Sequence, residues 1–273
     1  MGIPAGYRLR GVVVLIRTEA DRVVLIAQPA HAALSGQLAR SWGNARFGSV
    51  EPFDDVCLGA LLHDIGWIDW EQAPTLNLAT GLPHSFLQLS TRDHVGIWKA
   101  ASRRATAFGR YPALLTSMHF TGLYERFHDY SRDNADDARD ARALVARELA
   151  FQQNTIAVLR ADPALGTFAS AGVLERNRQL VALWDGISLA ICHGFSEPRT
   201  FRGAPDANSG VDLVLSAIDG AVSVDPWPFS VERLTVRVDG RVLNGTYEDQ
   251  ETMRHAMSDA SWVTVETTLL PAT

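Results

Sequence analysis

"DVCLGALLHDIGWIDWE", residues 55–71, sets His63 beside Asp64 at the end of an apolar helical run. Leu61, Leu62 and Ile65 direct that run into a core, where an ionisable group is costly unless it is paired or holds a metal. A surface pair at a frayed helix end is one reading of the doublet. A pair of metal ligands is the other, and the choice turns on whether histidines and carboxylates elsewhere complete a site.

Upstream, "PAHAALSGQLARSW" starts with Pro29 and predicts a helix, because proline suits a first turn whose N–H has no intrahelical partner. The helix carrying the doublet is expected over about residues 53–65, stopping at Gly66. Residues 71–88, "EQAPTLNLATGLPHSFLQ", lack a helical period and predict a long ordered loop of the kind that serves as a lid. Helical patterns resume at "STRDHVGIWKAASRRATAFG", where Ser90 or Thr91 can cap, and at "YPALLTSMHFTGLYERF". The acid-rich "SRDNADDARDAR" opens a long helix reaching about Arg160, and "AGVLERNRQLVALWDGISLAICHGF" is the last one.

Both ends of the chain read as β. Residues 7–28 form two β runs joined by the polar turn "TEAD". After about residue 196 the candidates are "VDLVLSAIDGAVSVDPW", "VERLTVRVDGRVL" and "SWVTVETTLL". The expected fold is α+β, mainly α. A helical bundle occupies residues 29–195, and a β-rich region from 1–28 and 196–273 packs beside it as part of one compact unit.

Composition narrows the function. At 273 residues and 47% hydrophobic, the chain can bury one large core. A net charge of −6 offers no electrostatic footprint for nucleic acid or anionic lipid. The apolar run "VVVLI", residues 12–16, is too short to span a membrane and lacks the tail of a signal peptide, so a cytoplasmic location is expected. Cys57 and Cys192 sit in apolar helical patterns without zinc-type spacing and are expected as reduced core residues.

Five helical segments each present candidate ligands: His31, the pair His63 and Asp64, His94, His119 and Asp185. All but His94 lie among apolar residues, and an inward Asp185 in "VALWDGISLA" calls for a cation nearby. Neighbours on a helix point about 100° apart, so His63 and Asp64 reach a common metal only from a groove between helices. With Asp64 bridging two ions, His31, His63 and Asp185 complete one site while His94 and His119 hold the second. Imidazole with carboxylate suits two divalent ions drawn from iron, manganese, zinc and cobalt, rather than magnesium or calcium. For His119 the alternative is a hydrogen-bonded core histidine. For His94, beside Asp93 in a capped first turn, it is a solvated one.

The order His, His-Asp, His, His, Asp over a helical region resembles the HD superfamily, whose members are mostly metal-dependent phosphohydrolases. "LLHDIGW" and "LWDGISLA" are the most specific pieces, and the resemblance covers Pro29 to about Phe195. More narrowly, "QPAHAALSGQLA", "LHDIGWIDWE", "TGLPHSF" and "SMHFTGLY" together resemble an uncharacterised bacterial family of unknown function in that superfamily. One departure stands out: many phosphohydrolases of the superfamily have lysine where this chain has Trp67. Trp67 and Trp70 could instead wall an organic substrate.

The resemblance implies a hydrolase acting on a small phosphorylated metabolite, with metal-activated hydroxide as nucleophile and ions about 3.5–4 Å apart. Asp64 would bridge the ions and orient the nucleophile, and His84 would donate a proton from the loop. Lys99, with Arg92, Arg103 and Arg104, reads either as an anion contact or as a solvated face. His128, His193 and His255 read as structural. A di-iron oxygenase of a small organic substrate is the alternative, and a non-enzymatic metal or ligand sensor is a third reading. The expected partner is a small-molecule substrate, with a homodimer allowed and neither nucleic acid nor membrane.

Overall fold

The computed structural model describes residues 15–19, 22–208 and 210–272; the part of the expected hairpin before Leu15, and its turn residues Ala20 and Asp21, lie outside them. Helix accounts for about 51% of the chain and strand for 21%, so the fold is α+β, mainly α. Helix α1 (Gln28–Ser41) places Pro29 in its first turn and buries Gln28, His31, Leu34, Ser35 and Leu38, the single stripe that a 3.6-residue period allows. One of its partners is α8 (Ala171–His193), which buries Leu180, Trp184, Ile187, Ser188 and Ile191. Each fully buried leucine or isoleucine contributes about 1.5–3 kcal/mol through loss of apolar surface.

One sheet backs this helix pair. Its order is β1 (Leu15–Thr18), β2 (Val23–Ile26), β8 (Leu234–Leu243), β9 (Trp262–Pro271), β7 (Ala221–Asp225), β6 (Val211–Ile218) and β5 (Arg199–Ala204). Neighbours run antiparallel except β7 and β9. The N-terminal pair therefore joins the C-terminal strands through β2 and β8. Along β8, buried Val236 and Val238 alternate with exposed Thr235, Arg237 and Asp239, the period of two that a one-sided sheet imposes. Helix α1 packs on β8, while α8 packs on β1 and β5. On the side away from the sheet, α2 (Phe53–Leu62) and α6 (Arg110–Phe127) cover α1 and α8, and α7 (Ala135–Arg160) lies outside α6.

The doublet helix ends earlier than its sequence predicts. Helix α2 stops at Leu62, Asp64 leaves helical geometry at φ −107°, ψ 21°, and a 3-10 turn over Ile65–Trp67 leads into α3 (Ile68–Gln72). Gly66 makes the turn possible: a Cβ there would lie 2.6 Å from the Ile97 carbonyl oxygen, at the end of α4 (Thr91–Trp98). Any side chain would push the turn away from α4.

Two further segments differ from expectation. The stretch read as a loop from residue 71 begins inside α3 and contains a small hairpin, β3 (Leu76–Asn77) with β4 (Leu82–Pro83), which leaves Gly81 at φ +67°. The C-terminal region, read as strands and turns alone, holds α9 (Gln250–Asp259), opened by Asp249 accepting from the Thr252 amide. The two segments hold each other. Arg254 donates to the carbonyls of Ala73 and Pro74, the Tyr247 amide donates to Gly81, and the Leu76 amide donates to Gln250. Short-range periodicity shows neither segment, because each is stabilised by the other across the fold. No helix among the described residues is long and apolar enough to cross a membrane.

Arg254→Ala removes two hydrogen bonds to carbonyls worth about 1 kcal/mol each. Amide hydrogen exchange over residues 73–83 should accelerate about 5–30-fold, the factor that one or two kcal/mol represents, while exchange in α1 and α8 stays as in wild type. Uniform acceleration across the chain would show that the contact supports global rather than local stability.

Candidate metal centre

Four donor atoms meet where α1, the end of α2 and α8 converge. His31 Nε2 lies 3.2 Å from Asp185 Oδ1, 3.3 Å from His63 Nε2 and 3.5 Å from Asp64 Oδ2. His63 Nε2 lies 3.4 Å from Asp185 Oδ1 and 3.6 Å from Asp64 Oδ2. A tetrahedron of metal–ligand bonds of about 2.0–2.2 Å has edges of about 3.3–3.6 Å. These five separations fit that figure, so His31 and His63 together with the carboxylate of Asp185 or of Asp64 are spaced as the ligands of one cation.

Both members of the doublet reach the same point because the helix breaks between them. In an unbroken helix Asp64 would point about 100° away from His63; the turn at Asp64 brings its carboxylate back. The His63 ring is fixed by its other nitrogen, Nδ1, which donates to the Ala60 carbonyl at 2.7 Å and leaves Nε2 directed at the cluster. The Asp64 carboxylate is held by a hydrogen bond from the Trp67 side chain. Trp67 is only 3% exposed, so its indole positions Asp64 rather than forming an open substrate wall.

His119, from α6, is the fifth member. Its ring lies 4.6 Å from that of His63, and its Nε2 is 3.9 Å from Asp185 Oδ2. His31, His63 and Asp185 form one group whose ligand atoms lie within 4.8 Å of one another; His63, Asp64 and His119 form a second that shares His63. The imidazoles are buried, with side-chain exposures of 0%, 0% and 2%, whereas Asp64 and Asp185 keep 9% and 13%. The site therefore opens toward solvent along its carboxylate edge.

The electrostatics of the cluster follow from its burial and from the charges packed within it. Burial raises the Asp64 carboxyl, offset in part by His63 and His31. Burial would also raise Asp185, but hydrogen bonds from His31 and His63 hold it far below the usual carboxylate range. Burial opposes the charged form of His63, yet the charges of Asp64 and Asp185 push its imidazole up to about 9. His119 is pushed down to about 3 by burial and then by His63, so it stays neutral at physiological pH.

The remaining expected residues fall elsewhere. His94 is not brought to the cluster: its Nε2 donates to the Phe86 carbonyl at 2.6 Å, and its ring meets Trp67 edge-on at 5.7 Å. The capped start of α4 directs that side chain toward the loop rather than into the groove. His84 Nδ1 pairs with Thr75 Oγ1 at 2.9 Å within the loop. Trp70 packs edge-on against Trp67 and onto the Ile16, Leu25 and Leu243 cluster. Lys99 is exposed beyond α4, and its carbonyl accepts from Arg147. Glu71 was not singled out in the sequence. Its carboxylate accepts from the Gln28 amide at 2.8 Å, tying the segment after the doublet to the first turn of α1, and burial pushes it up to about 8. Its only sequence signal is a second acid, after Asp69, among the aromatics of "WIDWE".

A family model described as a protein of unknown function (DUF3891) matches residues 14–245. The chain belongs to that family. The DUF3891 span takes in all five cluster residues and ends before α9, so the Arg254 contacts with the loop lie beyond it. Neither the curated proteins nor the solved structures contain a match to the chain.

Metal titration should separate the two histidine classes. His31→Ala and Asp185→Ala should each lower zinc affinity at least 100-fold by isothermal titration, whereas His94→Ala should leave affinity and stoichiometry unchanged. The same titration should depend on pH. A proton on His63 competes with the cation below about pH 9, so apparent affinity should fall by up to tenfold for each pH unit from 8 to 6. A flat profile would place the ion somewhere other than His63.

Proposed function

We propose that this protein is a metal-dependent hydrolase of a small phosphorylated metabolite, working from the His31, His63, Asp64 and Asp185 cluster. The observation that carries the reading is the set of five distances, 3.2–3.6 Å, that link the His31 and His63 nitrogens to each other and to the two carboxylates, with solvent access confined to the carboxylate edge. The phosphate ester as substrate class rests on the likeness of "LLHDIGW" and "LWDGISLA" to the HD superfamily. A bound divalent cation would supply Lewis acidity and a water of lowered pKa, and would offset charge developing on phosphoryl oxygens.

The chain's own residues have separable tasks. His31 and His63 present Nε2 lone pairs, while Asp64 and Asp185 neutralise the cation and face the open edge. Trp67 keeps Asp64 from rotating away. His119 stays neutral and lies beside Asp185, so its Nε2 lone pair can accept a hydrogen bond from a water and orient it, while a ring held near 3 is too weak a base to take that water's proton. The cluster supports one ion more strongly than two, because His94 is engaged with the Phe86 carbonyl. That weighs against the two-iron oxygenase, which needs a complete second ligand set.

Protein purified without chelator, then loaded separately with manganese, cobalt, zinc or iron, should release inorganic phosphate from a panel of phosphate monoesters. His119→Ala should retain metal and lower kcat about 2–10-fold, the loss of one water-orienting hydrogen bond of about 0.5–1.5 kcal/mol. Oxygen consumption by the iron-loaded protein without phosphate release would replace this reading with the oxygenase.

A further inference from the structure

His31 is a ligand with a second face. Its Nε2 looks into the cluster, while its Nδ1 is buried on the opposite side and has no hydrogen-bond partner among the described residues. Among the seven other buried side-chain atoms of the described residues that share that condition are Gln28 Oε1 and His193 Nε2. Gln28 lies three residues before His31 on the buried stripe of α1, and is itself 3% exposed. Helical side chains lean toward the N-terminus, so the His31 ring leans over the turn that carries Gln28. His193 ends α8 and lies close enough to His31 to feel its charge. Its ring also donates to the Ile16 carbonyl, and since Nε2 has no partner that bond is made through Nδ1. In the neutral ring Nε2 is then an acceptor.

The proton inventory explains why these atoms are unmatched. Asp185 accepts from His31 Nε2, so the single proton of a neutral His31 ring sits on Nε2. Nδ1 is then an acceptor without a donor, as are Gln28 Oε1 and His193 Nε2. A cation at Nε2 needs the lone pair there, and the ring proton moves to Nδ1 with no change in charge. The same three atoms become one donor and two acceptors. We infer that Gln28 and His193 are positioning residues for the metal centre, holding the His31 Nδ1–H so that Nε2 is aimed at the cation. Metal-bound histidines characteristically donate their second N–H to such an acceptor, and losing it weakens binding about 10–100-fold. The inference rests on the metal reading above and adds to the site two residues that touch neither cation nor substrate.

The test uses Gln28→Met and His193→Phe, singly and together, with Gln28→Glu and His193→Gln as conservative counterparts that keep an acceptor. Zinc affinity is measured by competition with a chromophoric chelator. The thermal midpoint of each apoprotein reports folding, and long-range 1H–15N spectra of the zinc-loaded protein report which His31 nitrogen carries the proton. Zinc affinity should fall about 10–100-fold in the double variant with the apoprotein midpoint little changed, and should stay within about threefold of wild type in Gln28→Glu and His193→Gln. Gln28→Met keeps the test valid if His193→Phe fails to fold, since the backbone amide of residue 28 still serves Glu71. Wild-type zinc affinity in the double variant, or in Gln28→Met where only that variant folds, would overturn the inference and leave the metal site standing. Failure of the wild type to bind zinc would overturn both, and zinc binding without phosphate release would remove only the proposed reaction.

Discussion

Two carboxylates buried against three imidazoles set the terms for the rest of the molecule. Asp64 and Asp185 keep 9% and 13% side-chain exposure, and burying an ionised carboxylate costs several kcal/mol. A hydrogen bond to a charged group returns about 1.5–3 kcal/mol. The bonds from His31 and His63 to Asp185 therefore offset much of the cost only if the rings carry protons. Without a cation, His63 has to hold a proton well above its ordinary range. With one, the rings can be neutral and the carboxylates matched, so the cluster is better balanced as a cation site than as an ion-pair network.

The architecture follows from bringing those side chains together. α1 and α8 share the sheet as a common floor, which fixes His31 opposite Asp185. Ser35 strengthens the same seam, donating to Ser188 Oγ at 2.9 Å. The break after Leu62 turns Asp64 toward its partners, and Gly66 lets the following turn close on α4. Trp67 then occupies the space beside Asp64 as a hydrogen-bond donor. Glu71 completes the ring of supports by capping the amide of Gln28. Each contact links the doublet segment to another helix, so the site's geometry is stored in the packing rather than in one element.

A site of this kind uses its surroundings to choose chemistry. The buried imidazole edge excludes water, and the carboxylate edge admits it. The loop after α3 lies over the neighbouring region, joined to α4 through His94 and to α9 through Arg254. That places a C-terminal element, beyond the DUF3891 span, in charge of how tightly the loop is held. The geometry of the cluster and the hold on the loop thus rest on different parts of the chain.

The sequence by itself determined the helical region, its β-rich flanks and the polar residues that its apolar stripes would bury. An aspartate inside "LWDGISLA" and a His-Asp doublet after "GALL" are legible because a buried charge among leucines has no local partner. Tertiary structure decided which of them meet. His31, His63, Asp64, His119 and Asp185 converge, whereas His94, in an equally helical setting, turns to the Phe86 carbonyl. Trp67 looked like a pocket wall and is a buried donor, a role set by where Asp64 lies after the helix breaks. Helix α9 and the 76–83 hairpin escaped the pattern because each is held by the other from about 180 positions away. Periodicity along a chain reports which face of an element is buried; it carries no information about what that face meets.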